Sequence, residues 1–456
     1  MRKTLAVVLS IVLSVFFAVG AVEVASRLRL IPCVDNAPNV WEPHRQFGWF
    51  HRPGISAWGQ GCNRVGIDWR SFVEIDDQGL RDDKPHSYAK PDGVYRVLLI
   101  GDSFTEGFTV DLDEHFAPDL ERRLTAAAGA PVEVLNSGVS AWGNGQELLY
   151  YSLEGSRFSP DLVVLLFNPG NDIGENVPGL GRPEPSLADQ PSYSLQAGAL
   201  KLENFPVRNL RKMPGSDDPL EDFLERRTHF FPALRSLSVN LGKAIGWRPE
   251  GRKQPLGKRA RERPIAGPPP AAPAEVVAVD ARSASAPPTA AAPVPTATPA
   301  SGVREPPMNL PFAIEKLSPR WEDAWRLTRA IVREMRRQVE AKDTRFAVAI
   351  VPSKYSVAGK IRKWNNGQEQ VDIDPALPDR RSQQFLESEG IATCPLLPAF
   401  RAHFEATGRH GFHRYDIHWN PEGHAIVAEE LASCLERLGL VPVRGQAAEK
   451  SPGVAS

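Results

Sequence analysis

Four short segments of the chain carry side chains whose types suit nucleophilic acyl transfer. Ser103 lies in the tripeptide GDS, Gly138 follows Asn-Ser, Asn171 follows a glycine, and Asp416 precedes His418 by two residues. A serine hydroxyl needs a nearby base, and a histidine base needs a carboxylate to fix its tautomer and stabilise its cation. Backbone N–H groups and an uncharged amide can stabilise an oxyanion. Together these types predict a serine nucleophile acting through a covalent acyl intermediate.

A parallel α/β sheet is predicted around these segments. Short apolar runs that read as buried strands occur at 94–100, 132–135, 161–167, 345–351 and 391–394. Helical patterns alternate with them at 115–128, 146–158, 318–341, 382–389 and 421–438. Strands that alternate with helices indicate a parallel sheet, and reactive groups in such sheets lie at the carboxyl ends of the strands. Ser103, Gly138 and Asn171 each follow a strand, and His418 precedes the last helix.

Each segment taken singly also has an ordinary structural explanation. Ser103 would cap the next helix, and glycine and asparagine are common in turns. Asp416 would cap the last helix and leave His418 on the surface. His413 and His424 compete for the role of base, although His424 is expected to pack on the last helix. Asp416 can serve His418 only if the loop folds back on itself.

The composition of the chain sets its organisation. The 456 residues carry a formal net charge of -1, so a field that attracts nucleic acid is not expected. Many of the 42 prolines fall in an Ala/Pro-rich segment that cannot bury enough apolar surface to fold. We predict a solvated linker there. The alternative is that its basic start contacts an anionic surface.

The chain is predicted to divide into six ranges. They are 1–30 for an anchor or signal peptide, 31–93 for an irregular extension, 94–248 and 309–440 for two parts of one domain, 249–308 for a disordered linker and 441–456 for a disordered tail.

The N-terminal segment predicts association with a membrane or export. Arg2 and Lys3 precede an apolar run from Leu5 to Val22 of about 18 residues, the lower limit for a helix that spans a bilayer. A membrane anchor is favoured, and a cleaved signal peptide is the alternative because small residues near the end of the run, from Ala18 to Ser26, leave a cleavage site possible. Either one places the rest of the chain outside the cytoplasm, in the periplasm or beyond.

The four cysteines allow two disulfides. In an oxidising compartment Cys33 would pair with Cys62 and Cys394 with Cys434, but the sequence does not assign the connectivity. Cys394 falls in a predicted strand and Cys434 in a predicted helix, so a pair of buried thiols is the alternative. No cysteine or histidine spacing indicates zinc, and neither a metal nor a cofactor is expected.

The order of the four segments resembles the blocks of the SGNH/GDSL hydrolase family over about residues 94–175 and 315–440. The pieces GDSFTEG, LNSGVSAWG and DIHWNPEGH carry the resemblance. It implies a flavodoxin-like three-layer α/β/α fold with a parallel five-stranded sheet. It also implies a catalytic triad of Ser103, His418 and Asp416. The oxyanion hole would consist of the N–H groups of Ser103 and Gly138 and the side chain of Asn171, without a metal.

The sequence departs from the family pattern at two places. Most members place the aspartate three residues before the histidine, where this chain has Tyr415, and Asp416 lies two before. This DxH spelling is similar to the SGNH-like proteins of alginate acetylation. Pro169 also occupies the position of the glycine in the usual GxND block, so Asn168 is an alternative to Asn171.

The resemblance implies an esterase that hydrolyses an acyl ester, with acetyl as the expected group. The substrate would be an acylated small molecule or an envelope or extracellular polysaccharide. An O-acyltransferase with the same triad is the first alternative. A non-catalytic carbohydrate-binding protein is the second, with Trp142, Trp419 and the N-terminal aromatic residues stacking on sugars. A linker-tethered assembly protein is compatible with either activity. The sequence does not indicate an oligomeric state.

Overall fold

The computed structural model describes residues 35–63, 66–180, 190–208, 210, 311–365 and 370–444, with scattered positions between 9 and 24. The predicted linker at 249–308 lies outside these residues, as do the tail beyond 444 and most of the predicted anchor. No helix within the described ranges is long and apolar enough to cross a membrane.

A five-stranded parallel sheet forms the centre of the domain, as predicted. Its strands are β5 (Tyr95–Gly101), β6 (Val132–Asn136), β7 (Leu162–Phe167), β10 (Arg345–Ile350) and β13 (Ala392–Pro395). Their spatial order is β6-β5-β7-β10-β13, and every neighbouring pair is parallel. The order reverses between β5 and β7, and this switch point is where α/β sheets open a crevice for ligands. The flavodoxin-like topology implied by the family resemblance is therefore confirmed.

Helices cover both faces of the sheet. They are α1 (Ser103–Glu106), α2 (Phe116–Ala128), α3 (Asn144–Leu153), α4 (Asp172–Glu175), α5 (Pro319–Glu340), α6 (Lys354–Ala358), α7 (Leu377–Ser388), α8 (Leu397–Thr407) and α9 (Pro421–Arg437). One apolar core lies between the sheet and α2, α8 and α9, and the other lies between the sheet and α3, α5 and α7. Strands buried on both faces read as continuous apolar runs, which explains why the sequence predicted them well.

The N-terminal extension differs from its prediction as an irregular segment. It contains the antiparallel hairpin of β1 (Trp41–His44) with β2 (Gly48–His51), and that of β3 (Ser56–Asn63) with β4 (Gly66–Glu74). One face of β4 is buried through Trp69, Ser71 and Val73. Because the buried face includes a serine, the sequence of β4 lacks the alternation of apolar and polar residues that predicts a half-buried strand.

Two further hairpins and four helices were not predicted. The hairpins pair β8 (Ser192–Gln196) with β9 (Ala199–Glu203), and β11 (Arg362–Asn365) with β12 (Gln370–Ile373). The helices are α1, α4 and α6, of four or five residues each, and α8, which follows β13 directly. The hairpins and the first three helices are short, and short elements give weak periodic signals.

The structure contains the disulfide predicted between Cys394 and Cys434. Cys394 in β13 and Cys434 in α9 form a disulfide and are both buried. Cys62 is also disulfide-bonded, and its expected partner Cys33 lies outside the described residues. The alternative of two buried thiols at Cys394 and Cys434 is therefore wrong.

Candidate active site

Ser103 lies in the first turn of α1, at the carboxyl end of β5. The side chain of Asp102 caps this helix by accepting a hydrogen bond from the N–H of Phe104 at 2.9 Å. Gly101 has to lack a side chain, because a Cβ atom there would lie 2.0 Å from Oγ1 and 3.0 Å from Cβ of Thr105. The tight turn holds the serine at the edge of the sheet, where its side chain is only partly buried.

The predicted serine, histidine and aspartate form one hydrogen-bonded row. Nε2 of His418 lies 2.7 Å from Oγ of Ser103, and Nδ1 of the same ring lies 2.6 Å from Oδ1 of Asp416. With a neutral imidazole, Nδ1–H donates to the carboxylate and Nε2 accepts from the hydroxyl. This geometry allows the hydroxyl proton to pass to the histidine when the serine oxygen attacks a carbonyl group.

The loop that carries Asp416 folds back over two residues. The backbone N–H of His418 donates to Oδ1 of Asp416 at 2.9 Å, and the indole Nε1–H of Trp69 donates to Oδ2 at 3.0 Å. Burial raises the pKa of the Asp416 carboxyl, but the hydrogen bonds and charge of His418 and the indole of Trp69 outweigh it. The pKa therefore lies well below its usual range, so the carboxylate is ionised at neutral pH.

The predicted oxyanion donors differ in their hydrogen bonding. The N–H of Ser103 has no acceptor among the described residues. The N–H of Gly138 donates to Oδ1 of Asn136 at 3.0 Å, within its own turn. Nδ2 of Asn171 donates to Oδ2 of Asp102 at 3.1 Å, and this bond uses one of its two amide hydrogens. Ser103 and Asn171 thus retain donors, whereas Gly138 would have to share its N–H.

Asn168, the alternative to Asn171, is bonded to the same carboxylate oxygen. Its Nδ2 donates to Oδ2 of Asp102 at 2.9 Å, and its Oδ1 accepts from the N–H of Gly170 at 3.2 Å. Asn168 is buried, whereas Asn171 is partly exposed. Burial raises the pKa of Asp102, and the hydrogen bonds from Asn168, Phe104 and Asn171 oppose that rise. Exposure favours Asn171 as the amide that can reach a ligand.

Glu106, for which the sequence indicated no role, joins the serine segment to the glycine segment. Its Oε2 accepts from both the N–H and the hydroxyl of Ser140, and its Oε1 lies 3.1 Å from Nε2 of His51 in β2. The side chains of Glu106 and His51 are fully buried. A Cβ atom at Gly138 would lie 2.4 Å from the backbone N of Glu106, so this approach requires glycine.

His413 and His424, the other two histidines considered as the base, make contacts away from Ser103. Burial lowers the pKa of His413 to about 4, and its backbone N–H donates to the carbonyl of His418 at 3.0 Å. Burial also lowers the pKa of His424 to about 3, and its Nδ1 accepts from the N–H of Phe116 at 3.3 Å. His424 packs on α9, as expected, and Ser103 has only His418 as a hydrogen-bonded histidine among the described residues.

Two tryptophans considered as sugar platforms are core residues. Trp142 and Trp419 are both 0% exposed. The indole of Trp142 packs against Phe47 and Phe50 of the N-terminal extension, and that of Trp419 packs against Phe104. The prediction that either one stacks on a sugar is therefore wrong.

Comparison with known proteins finds a family match for the C-terminal part of the chain. Residues 315–454 match the family described as "SGNH hydrolase-like domain, acetyltransferase AlgX". The match includes the DIHWN segment with Asp416 and His418, and it confirms the resemblance stated from the sequence. It also confirms the predicted class of activity, an ester hydrolase or acetyltransferase.

Solved structures with a similar arrangement are distant in sequence from this chain. One is LAE5, an alpha/beta hydrolase enzyme from the metagenome of Lake Arreo, Spain, with 9% identity and a TM-score of 0.32 over 77% of this chain and 99% of that one. Another is a catalytic mutant of Axe2, an acetylxylan esterase from Geobacillus stearothermophilus, with 10% identity and a TM-score of 0.34 over 77% and 97%. No curated protein sequence matches the chain.

Three charged or aromatic residues near the triad were not predicted as site residues. Trp69 and Asp68 belong to β4 of the N-terminal extension, and Lys354 begins α6. Trp69 contacts Asp416 across 347 residues of sequence. No local pattern in the sequence reports a contact of that range. Lys354 alone carries a local signal, since it ends the segment Val-Pro-Ser-Lys that directly follows β10.

Proposed function

We propose that this chain is a serine-dependent esterase that removes an acyl group, most simply acetyl, from a carbohydrate ester. The hydrogen-bonded row from Ser103 through His418 to Asp416 carries the proposal. A protein that only binds a ligand has no need for a nucleophile, a base and an ionised carboxylate in contact. The family description supports the acetyl group, since it names an acetyltransferase.

The first step in the proposed mechanism forms an acyl-enzyme. Oγ of Ser103 attacks the ester carbonyl while Nε2 of His418 takes the hydroxyl proton. The negative charge on the carbonyl oxygen would be held by the N–H of Ser103 and the amide of Asn171, with Gly138 sharing its N–H. Asp416 stabilises the imidazolium that results. As the intermediate collapses, the C–O bond of the alcohol breaks and His418 returns the proton to the leaving oxygen.

The second step releases the acyl group. His418 removes a proton from water as the water oxygen attacks the acyl carbon, and the acid leaves with Ser103 reprotonated. If a sugar hydroxyl takes the place of water, the same residues perform O-acyl transfer. The acetyltransferase description of the matching family favours this second function specifically.

We further propose that the reaction takes place outside the cytoplasm on an envelope or extracellular polysaccharide. The apolar run from Leu5 to Val22 supports an N-terminal membrane anchor. The disulfides at Cys394–Cys434 and at Cys62 support an oxidising compartment. The DIHWN motif supports a polysaccharide as the substrate, because it is similar to the motif in the proteins of alginate acetylation. A reporter fused after Ser456 that is active only in the cytoplasm would contradict this location.

Release of acetate from p-nitrophenyl acetate by the full chain in detergent micelles tests the esterase proposal. Ser103→Ala and His418→Ala should each lower kcat/KM by roughly 10³–10⁶-fold. Ser152→Ala and His403→Ala are matched controls, because both lie in helices outside the row and should behave as the wild type. Activity retained in Ser103→Ala would overturn the proposal.

A polysaccharide acceptor separates hydrolysis from transfer. With an acetyl donor and an unacetylated polysaccharide present together, an esterase yields free acetate and a transferase yields an acetylated polymer. Polymer acetylation that is lost in Ser103→Ala would establish the transferase. If the wild type binds the polysaccharide but forms neither product from any donor supplied, the carbohydrate-binding alternative replaces both enzymes.

A further inference from the structure

The β3–β4 hairpin of the N-terminal extension reaches the loop that holds Asp416 and His418. Trp69 is nearly fully buried, and its ring lies edge-on to that of Phe108 at a centroid distance of 5.4 Å. The ring of Phe108 in turn lies 5.0 Å from that of His418. The same indole donates its N–H to Oδ2 of Asp416. Trp69 therefore contacts the carboxylate directly and the imidazole through one intervening ring.

The hydrogen bond from Trp69 completes the coordination of the Asp416 carboxylate. Oδ1 accepts from the backbone and the ring of His418, and Oδ2 accepts from the indole. A carboxylate with donors on both oxygens cannot rotate about its Cβ–Cγ bond without breaking one of them. The indole thus fixes the plane of the carboxylate, and that plane determines where Nδ1 of His418 is held.

The neighbouring residue Asp68 holds the backbone of the same loop. Its carboxylate accepts from three consecutive N–H groups, those of Arg414 at 3.1 Å, Tyr415 at 2.9 Å and Asp416 at 2.7 Å. Lys354 contacts the carbonyl side of the loop and donates to the oxygens of His413 and Arg414. The carboxylate of Asp68 thus binds the N–H groups of the loop, and the ammonium group of Lys354 binds its carbonyl groups. Together they orient the peptide dipoles of the loop.

Gly61 makes room for the indole. It pairs with Trp69 across the hairpin, and a Cβ atom there would lie 2.1 Å from Nε1 and 2.5 Å from Cε2 of Trp69. The indole ring lies flat against the strand only because residue 61 has no side chain. Trp58, on the same hairpin, is paired with Phe72 and points to the opposite face because side chains alternate along a strand.

We propose that the β3–β4 hairpin is a positioning element of the active site, in which Trp69 sets the plane of the Asp416 carboxylate and Asp68 sets the backbone of its loop. The inference rests on the proposed function, since it assigns a role relative to the triad. It makes the N-terminal extension part of the catalytic unit. Neither Trp69 nor Asp68 touches the reacting atoms, so both act through Asp416 and His418.

The test compares Trp69→Phe with Trp58→Phe in the full chain, with p-nitrophenyl acetate as the probe. A phosphonate ester that labels the serine counts active sites, so kcat refers to folded enzyme. Loss of the indole N–H should lower kcat by roughly 10–100-fold with KM unchanged, the effect of a hydrogen bond to a charged group. Trp58→Phe should keep the wild-type kcat. A Trp69→Phe kcat within twofold of that control, or a rise in KM alone, would overturn the proposal.

A double-mutant cycle with Gly61→Ala provides the second measurement. If this alanine acts by displacing the indole N–H, it should lower kcat in the wild type and have little effect in Trp69→Phe. Additive losses in the cycle would mean that Gly61 affects kcat independently of the indole, and would contradict the proposal.

Asp68→Ala covers the case in which the Trp69 variants do not fold. It should lower kcat with KM unchanged, whereas Asp374→Ala removes a similar carboxylate–backbone bond to Ala376 and should leave kcat unchanged. If the proposed function is wrong, Ser103→Ala remains active, and this result separates that failure from a failure of the positioning role. An inactive Ser103→Ala beside a fully active Trp69→Phe and Asp68→Ala would refute the positioning role alone.

Discussion

Oδ1 of Asp416 accepts two hydrogen bonds from the same residue, one from the backbone N–H of His418 at 2.9 Å and one from its ring Nδ1–H at 2.6 Å. The first bond closes a turn over two residues, and the second sets the ring. The spacing of two residues between aspartate and histidine is therefore sufficient for the carboxylate to hold the imidazole ring. Turn closure and ring orientation share one oxygen, so the side-chain length of residue 416 is restricted.

Asp416→Glu and Asp416→Asn should both lower kcat, for different reasons. Glutamate keeps the charge but is one methylene too long to close the turn. Asparagine can close the turn but cannot stabilise the imidazolium, so we expect kcat to fall by roughly 10²–10⁴-fold. Ester hydrolysis per active site measures both. Asp323→Asn, which removes a surface carboxylate paired with Arg326, is the control. Wild-type kcat in Asp416→Glu would contradict the restriction on length.

Gly138→Ala should abolish activity because its Cβ atom would collide with backbone that cannot move aside. The added atom would lie 2.4 Å from the N of Glu106 and 2.7 Å from the carbonyl carbon of Thr105. We expect kcat to fall by at least about 10²-fold, the usual effect of losing an oxyanion donor. Gly145→Ala is the matched control, since its Cβ atom would meet nothing closer than 3.4 Å and the position is helical. Equal activity of the two variants would contradict the close approach.

Asp379→Asn should stabilise the protein at high pH. Burial raises the pKa of Asp379 from 3.8 to about 7, so between these values the native state holds a proton that the unfolded state has lost. Wild-type stability therefore falls as pH rises through this window and is constant above it. Asparagine does not titrate, so its stability relative to the wild type should rise by roughly 2–3 kcal/mol from pH 5 to pH 8.

Urea unfolding of both proteins at pH 5, 6.5 and 8 measures this difference. Asp372→Asn serves as the control, because it removes a carboxylate that is exposed on β12. A relative stability of Asp379→Asn that is flat across the series would show that the carboxyl is already ionised at pH 5.

Removal of the Cys394–Cys434 disulfide should lower stability without changing the geometry of the row. The bridge closes a loop with a sequence separation of 40, for which the chain-entropy model predicts a loss of about 4 kcal/mol. Guanidinium unfolding of the double alanine variant measures the loss. The single variants Cys394→Ala and Cys434→Ala are the controls, since each already lacks the cross-link and should lie near the double variant. A double variant as stable as the wild type would contradict the prediction.

The sheet and the chemical segments could be predicted because their signals are local. The run Leu162–Phe167 is apolar throughout, and the segments with Ser103 and His418 lie within a few residues of an element boundary. The contacts of Trp69 and Glu106 could not be predicted, because their partners are distant in sequence and are brought close only by the fold. Helix α7 also begins at Leu377, five residues before the predicted start, because Pro378 occupies its first turn and reads in sequence as a break.

The residues of the row lie far apart in the order of synthesis. Ser103 and His418 are separated by 315 residues, and the hairpin that contacts Asp416 lies N-terminal to both. A ribosome that adds 5–20 residues per second needs roughly 15–60 s to pass from the serine to the histidine. During that interval the nascent chain contains Ser103 but not His418. On the proposed mechanism, a polypeptide interrupted anywhere in this stretch lacks the base and is therefore inert toward esters.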